Sequence, residues 1–355
     1  MAKSTYNVIA IMSGTSLDGI DIVYATYTFK NSWKFKIHQS ETIKYSTDWE
    51  LTLRQLVDKS IKELHEVDVK YSEYLAKITL SFIEKYAINK IDFIASHGHT
   101  ALHQPENGIT YQIGNLQSFA DLLNTKVICD FRVQDVKYGG QGAPLVPIGD
   151  RLLFNAFDFC LNLGGFANIS FEDNDKRIAF DICPTNIVLN HYVNKLDLEF
   201  DDKGEIASKG NINKELLYRL NQLDFYKQSP PKSLGLEWVR ANIVPIIDNY
   251  NLQIKDVLRT FVEHIAIQIS KVLNISNTNV LISGGGAYNN FLISRIKVLS
   301  NSSVVIPNKE IIEYKEALVF GLLGILKERN EINCLKSVTG ASKDHSSGKI
   351  LTPNA

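Results

Sequence analysis

The sequence predicts an α/β protein built as two similar domains, and three observations lead there. The chain has 355 residues, which at roughly 150 residues per domain suggests two. A strand, a glycine-containing turn and a second strand occur twice, once near residue 7 and again near residue 159. After each such hairpin the pattern continues as third strand, helix, strand, helix. The repeat is one of architecture and not of residues, and it divides the chain into domains 1–150 and 151–355. Two like α/β domains, each offering a glycine turn to a shared cleft, are what a nucleotide-hinged phosphotransferase looks like.

The elements follow from local pattern. Asn7 to Met12 and Ile20 to Thr28 are β-branched and apolar around the polar turn Ser13 to Gly19, which reads as a hairpin. Phe35 to Ile43 supplies a third strand. Asp48 to Ser60 and Val67 to Tyr86 read as helices, the second with Val69, Tyr71, Leu75, Ile78 and Phe82 at helical spacing. Ile91 to Ser96 and Lys126 to Phe131 are short strands flanking a helix at Leu116 to Leu123. A loop rich in glycine and proline runs from Gly139 to Pro147. The second round has strands at Phe159 to Leu163, Phe166 to Phe171 and Ile178 to Ile182, then a helix over Pro184 to Val193 with proline in its first turn. Helices near Lys214 to Leu220 and Ile254 to Leu273 precede a strand, Val280 to Ser283, and the triplet Gly284-Gly285-Gly286. A helix from Tyr288, a strand Val304 to Ile306 and a helix Glu313 to Leu326 complete it.

Composition excludes several classes. Lys plus Arg number 38 and Asp plus Glu 39, a formal net charge of −1. That balance offers no basic face to nucleic acid and no electrostatic attraction to a membrane surface. Apolar residues at 45% fill two ordinary cores. Cys129, Cys160, Cys183 and Cys334 are scattered without a C-x-x-C pair, which argues against a disulfide framework or a cysteine zinc site. The apolar run Val8 to Met12 is too short for a secretory signal, and Ala317 to Leu326 falls short of the about 20 residues that span a bilayer. A cytoplasmic protein is expected.

Several residues could carry chemistry. In Ser13-Gly14-Thr15-Ser16-Leu17-Asp18-Gly19, glycines let amides point inward and hydroxyls can donate to phosphate oxygens. The lysine and spacing of a P-loop are absent, and an ordinary hairpin turn remains the alternative. Gly164-Gly165 with Asn168 stands in the matching hairpin, and two glycine hairpins can grip a triphosphate from both sides. Gly284, Gly285 and Gly286 lie between strand and helix, a common nucleotide position because a helix N-terminus favours negative charge. Asp181 ends a strand, as a general base toward water or a sugar hydroxyl, or as a cap for the next helix. Asp18, Asp21 and Glu316 are acidic candidates for magnesium or substrate. His97, His99 and His103 could hold zinc, although no fourth ligand is suggested, and a substrate loop fits better. Arg132 is a fork for a substrate carboxylate or half of a structural salt bridge.

Ile11-Met12-Ser13-Gly14-Thr15-Ser16-Leu17-Asp18-Gly19-Ile20-Asp21 resembles the opening signature of the anhydro-N-acetylmuramic acid kinases. So do Ser96-His97-Gly98, Gln112-Ile113-Gly114-Asn115 and Asp130-Phe131-Arg132, followed by the run from Gly139-Gly140-Gln141-Gly142 through Ala143-Pro144-Leu145-Val146-Pro147. Leu161 to Ile169, Pro230-Pro231-Lys232-Ser233, Gly284 to Ala287, Glu316-Ala317 and Val338-Thr339-Gly340-Ala341 extend the resemblance end to end.

The resemblance implies the actin-like sugar kinase superfamily, with two ribonuclease-H-like domains around a nucleotide cleft. It implies ATP and Mg2+ as cofactors, a small amino sugar as partner, a cytoplasmic homodimer, and a part in recycling cell-wall sugars. The reaction it implies turns 1,6-anhydro-N-acetylmuramic acid, ATP and water into N-acetylmuramic acid 6-phosphate and ADP. Asp181 would deprotonate the attacking water, the glycine turns would hold phosphate, His97 and Arg132 would read the N-acetyl and lactyl arms, and Glu316 would sit near the reacting end. The magnesium ligands are left unassigned. The family's Asp-Thr-Gly-Pro-Gly-Asn is here Asp181-Ile182-Cys183-Pro184-Thr185-Asn186, with bulk in place of both glycines. His99 stands where glutamine is usual, and Leu234 and Leu236 replace a threonine and an arginine. A kinase of another amino sugar and a non-catalytic nucleotide-binding regulator are the alternatives.

Overall fold

The computed structural model describes residues 3–14 and 17–354. Two compact units result, Met1–Leu153 together with Tyr314–Ala355, and Phe154–Glu313. The first crossing, at 153/154, falls close to the expected boundary. The C-terminal residues differ from expectation, because from Tyr314 onward they belong to the first unit. The reason is one continuous helix, Lys309–Glu328. Its apolar periodicity says that it is buried, and says nothing about which sheet buries it.

In the first unit β1 (Thr5–Ser13), β2 (Ile20–Phe29) and β3 (Trp33–Ile43) form an antiparallel meander. β4 (Phe93–Ser96) runs parallel to β1, and β5 (His99–Gln104) with β6 (Ile109–Ile113) forms a separate hairpin. β7 (Val127–Cys129) lies parallel to β4, and a last strand, Lys349–Leu351, closes the six-stranded sheet on that edge. In the second unit β8 (Phe159–Leu163), β9 (Phe166–Asp173) and β10 (Lys176–Pro184) repeat the meander. β11 (Asn279–Ser283) and β12 (Ser303–Val305) then add in parallel beyond β8. With the β5–β6 hairpin and the C-terminal strand set aside, both sheets read third, second, first, fourth, fifth strand with the same directions. That is the ribonuclease-H-like arrangement, made twice.

Val8, Ile9, Ala10 and Ile11 are fully buried on both faces of β1. A strand covered by helices on both sides reads as a continuous apolar run, which this one does. Ile9 and Ile11 join the core with Leu64, Tyr71, Leu75 and Phe82 of the helix Ile61–Lys85. Each large side chain so buried contributes roughly 2 kcal/mol. The opposite face meets helix Lys309–Glu328 at residues without side chains. A Cβ on Gly324 would lie 2.8 Å from the Phe93 ring and 2.9 Å from the Ala95 Cβ. The second core gathers Leu161, Leu163, Val262, Ile265 and Ile282 around helix Ile254–Val272.

Three local readings are corrected. The helix expected over Asp48 to Ser60 ends at Arg54, and Ser60 instead begins the next one. The Glu63 carboxylate accepts the Ser60 N–H at 2.8 Å while the Ser60 hydroxyl accepts the Glu63 N–H, a capping box legible as S-x-x-E. Pro184 closes β10, and the helix after it starts at Asn186. The β5–β6 hairpin was not anticipated, although its Asn107-Gly108 turn, with Gly108 at φ +69°, is a hairpin signal. Among the described residues no helix is long and apolar enough to cross a membrane.

The close approach of helix and sheet at Gly324 gives a direct test. Gly324→Val should lower stability by about 2 kcal/mol or more, because added carbons have no space beside Phe93 and Ala95. Urea denaturation of variant and parent measures it.

Candidate active site

In the second unit one row of polar residues crosses the end of the sheet. Ser283 of β11 is in register with Asn162 of β8, Asn162 with Asn168 of β9, and Asn168 with Asp181 of β10. Residues in register share a face, while the flanking Leu161 and Leu163 turn into the core. The register shifts just after Asp181, between it and Cys183.

Asp181 is held by the Pro-Pro-Lys-Ser segment. Its backbone N–H donates to the Lys232 carbonyl at 3.1 Å, and its Oδ2 accepts the Leu234 N–H at 2.8 Å. Burial raises its pKa above the ordinary carboxylate value, and the Leu234 bond offsets part of that rise. Because a backbone amide makes this contact, the leucine at 234 keeps the bond whatever its side chain.

The glycine turn of the second unit sits on the helix Asn186–Val193. Thr185 donates its hydroxyl to the Gly164 carbonyl at 2.6 Å and its N–H to the Gly165 carbonyl at 2.8 Å. Amides that open a helix have no partner within it, and here the turn supplies one. Ile182 and Cys183 are buried in the core, and no residue from 182 to 185 has positive φ. The bulk that replaces two glycines is therefore accommodated without left-handed backbone. Gly284 does need its freedom: its φ is +81°, and a Cβ there would lie 2.5 Å from the Asn162 Oδ1. Gly165 and Asn168 are exposed and Gly164 is half-buried. A Cβ on Gly285 would meet nothing closer than 4.0 Å, whereas on Gly286 it would fall 2.7 Å from the Leu163 Cβ.

In the first unit Gly14 and Asp18 belong to the β1–β2 turn, with Asp18 exposed. Thr15 and Ser16 lie outside the described residues. Gly19 has φ +149°, and a Cβ on it would lie 2.7 Å from the Ile43 carbonyl oxygen. Ser13 is not a phosphate donor as its place in the turn suggests. Its Oγ lies 2.6 Å from the hydroxyls of Tyr45 and Tyr71 and 3.0 Å from His99 Nδ1, all in the interior. Asp21 accepts from the Thr42 hydroxyl at 2.6 Å.

His97 and Arg132, chosen separately, are in contact. The Arg132 Nε–H donates to His97 Nε2 at 2.9 Å, and its Nη1 donates to the Gly142 carbonyl at 2.7 Å. His97 Nδ1 lies 2.8 Å from the Gly98 carbonyl, so Nδ1 carries the hydrogen and Nε2 the lone pair. Burial first, and the Arg132 charge second, hold its pKa well below the usual histidine value. The imidazole is a neutral buttress that aims the guanidinium. Glu316 has an exposed side chain, yet dense surroundings raise its pKa against the opposing pull of Arg132.

The three histidines do not form a metal centre. His97 turns to Arg132, His99 to Ser13, and His103 is exposed beside Thr110. Among the described residues the one group of three metal-ligating side chains is Asp135, Cys334 and His345. Asn162, Thr185, Leu234 and Gly142 were missed as parts of the site. Asn162 had a signal in its alternation with Leu161 and Leu163, whereas the others act through backbone or contacts distant in sequence.

With this geometry in place, comparison with known proteins gives a consistent result. The family model described as "AnmK: Anhydro-N-acetylmuramic acid kinase" matches residues 6–353. A protein of Clostridioides difficile (strain 630) named anhydro-N-acetylmuramic acid kinase is 34% identical over 374 residues, covering 96% of this chain and 97% of its own. A protein of that name from Haemophilus influenzae is 32% identical, with 97% of each chain covered. Another from Caldanaerobacter subterraneus is 31% identical over 97% of this chain and 96% of its own.

His99 ties this site to pH. Burial pushes its pKa down to about 4, against about 6.5 in an unfolded chain. As pH falls, the unfolded state takes up the proton first, so stability present above about 6.5 is lost progressively down to about 4. The loss from this one group is up to roughly 3 kcal/mol. Urea midpoints at pH 7.5 and 5.0 should differ less for His99→Gln than for the parent; an equal difference would refute the assignment.

Proposed function

The chain belongs to the anhydro-N-acetylmuramic acid kinase family, and from that premise we propose how its own residues perform the family's reaction. The chemistry is ATP-dependent phosphorylation of 1,6-anhydro-N-acetylmuramic acid with hydrolytic opening of the anhydro ring. Asp181 is the base. It takes a proton from water, the water oxygen bonds to the anomeric carbon, and the bridging carbon–oxygen bond breaks. The freed oxygen on the sixth carbon takes the γ-phosphoryl group, and ADP leaves.

The observation that carries this reading is the setting of Asp181. One carboxylate oxygen is fixed by the Leu234 N–H at 2.8 Å, so the group is aimed. Burial raises its pKa, which makes it a stronger base than a solvated aspartate. Its row of Asn168, Asn162 and Ser283 leads along the sheet end to the Gly284 turn. Gly14, Thr15, Ser16, Asp18 and Gly19, with Gly164, Gly165, Asn168, Gly284, Gly285 and Gly286, are the proposed ATP contacts. Backbone amides freed of side chains suit phosphate, and phosphoryl transfer is catalysed mainly by such positioning and charge stabilisation.

Arg132, aimed by His97, is proposed to bind the lactyl carboxylate as a planar fork. Glu316 is proposed near the reacting end of the sugar. Magnesium takes oxygen ligands and keeps several waters, so an exposed aspartate such as Asp18 fits it as a partner to the triphosphate. Bound there, the ion would spread the charge of the phosphates. The cluster of Asp135, Cys334 and His345 does not fit magnesium, because thiol and imidazole are softer donors. Family membership also supports a cytoplasmic homodimer that returns cell-wall sugars to metabolism.

Two measurements test the assignment. Asp181→Asn should lower kcat about 10²- to 10⁴-fold with ATP affinity unchanged. In the parent, kcat/KM should fall on the acid side at a pH above that of an ordinary aspartate, because the base must be ionised; sugar phosphorylation that survives the substitution overturns the role. Arg132→Lys keeps the charge but loses the fork and the bond to His97. It should raise the sugar KM at least about tenfold, near 1.4 kcal/mol, while the ATP KM stays put.

A further inference from the structure

Asp135, Cys334 and His345 come together in the interior of the first unit, beside the Gly142 loop that Arg132 also contacts. They are 0%, 2% and 6% exposed, and their ligand atoms all lie within 4.8 Å of one another. Cys334 and His345 form an isolated antiparallel bridge, with the N–H of each donating to the carbonyl of the other at 3.1 Å. That pairing fixes the thiol and the imidazole side by side. Asp135 arrives from the helix Val133–Lys137.

The state of His345 is what makes the cluster more than a hydrogen-bond network. Its Nδ1 lies 3.1 Å from the Lys343 carbonyl oxygen, which only accepts, so Nδ1 carries a hydrogen. The neutral ring then presents a lone pair at Nε2. That nitrogen is buried without a hydrogen-bond partner, 3.6 Å from Asp135 Oδ1. A lone pair facing a carboxylate oxygen in the interior is repulsive unless a cation, either a metal ion or the proton of an imidazolium, lies between them. The Cys334 Sγ stands 3.1 Å from the same oxygen.

We propose that Asp135, Cys334 and His345 bind a zinc ion. Zinc bonds of about 2.1 Å to oxygen and nitrogen and 2.3 Å to sulfur place tetrahedral ligand atoms about 3.4–3.6 Å apart. The Sγ–Oδ1 separation of 3.1 Å is shorter than that range and the Nε2–Oδ1 separation of 3.6 Å lies at its upper end, so side-chain shifts would complete the geometry. One nitrogen, one sulfur and one oxygen suit zinc over magnesium or calcium. The second layer of contacts is already made: Lys343 orients the imidazole, and the Gly142 N–H donates to Asp135 Oδ2 at 2.7 Å. On binding, the thiol gives its proton to solvent and the thiolate bonds to the metal, which takes the place of the S–H between sulfur and carboxylate. The fourth position is left to water. The site staples the C-terminal segment to the Gly142 loop, whose carbonyl accepts from Arg132. It rests on no part of the functional reading above.

The test is zinc titrated into chelator-treated full-length protein, followed by desalting and metal analysis. One zinc retained per chain is expected, with a rise in Tm, and both should be lost in Cys334→Ser and His345→Gln. Cobalt as a probe guards against variants that fail to fold: the parent protein should show a thiolate-to-cobalt charge-transfer band. No retained metal and no such band would overturn the proposal. Zinc retained equally by folded variants would overturn it too.

Discussion

Gly164, Gly284 and Gly286 bring backbone so close to β8 that a side chain on two of them could not be placed without moving the turn. A Cβ would fall 2.5 Å from Asn162 Oδ1 at Gly284, 2.7 Å from the Leu163 Cβ at Gly286, and 3.3 Å from Asn162 Nδ2 at Gly164. The approach lets two turns from different parts of the chain end at one asparagine. The first unit obeys the same rule at Gly19, pressed against the Ile43 carbonyl. Everything else at these sheet ends is arranged around backbone that side chains would push apart. The β10 strand then only has to place Asp181 in register with the asparagines to put a carboxylate at the end of the same row.

Burial decides which ionisable groups keep their charge. His97 and His99 lie in the interior of one unit and are driven toward the neutral form. Neutrality is useful in each case. A neutral His97 accepts from Arg132, whereas a protonated one would repel it. A neutral His99 completes a closed set of contacts with Ser13, Tyr45 and Tyr71. Those tyrosines fix the last residue of β1, and so the point from which the β1–β2 turn departs. At Asp181 burial likewise favours the neutral form, by raising the pKa of a carboxylate that one backbone amide keeps in place.

The strands and their hairpins were legible because local periodicity writes them. Ser13 to Gly19 and Gly164-Gly165 announce their turns, and the repeat of hairpin and third strand gave both sheets. The return of residues 314–355 to the first unit was not legible, since a buried helix has the same pattern whichever sheet it covers. Within the site, Asp181, His97 and Arg132 could be singled out by type and place. That His97 touches Arg132, and that Leu234 holds Asp181, could not be read, because separations of 35 and 53 residues carry no period. Ser13 illustrates the converse. Its position in a glycine- and hydroxyl-rich turn suggested phosphate, and only the fold reveals that its hydroxyl is already engaged.

The altered stretch Asp181 to Asn186 shows how such a site tolerates change. Two glycines of the family pattern are replaced by Cys183 and Thr185, yet the backbone there keeps negative φ and needs neither. Cys183 spends its side chain in the core, and Thr185 spends its hydroxyl on the Gly164 carbonyl. Each substitution thus adds a contact behind the site and leaves Asp181 and Asn186 in place. Contacts made by main chain, such as Leu234 N–H to Asp181 and Thr185 N–H to Gly165, are indifferent to side-chain identity. A reaction positioned chiefly by backbone can therefore persist at about 30% identity, provided the glycines that permit close approach are kept where φ and space require them.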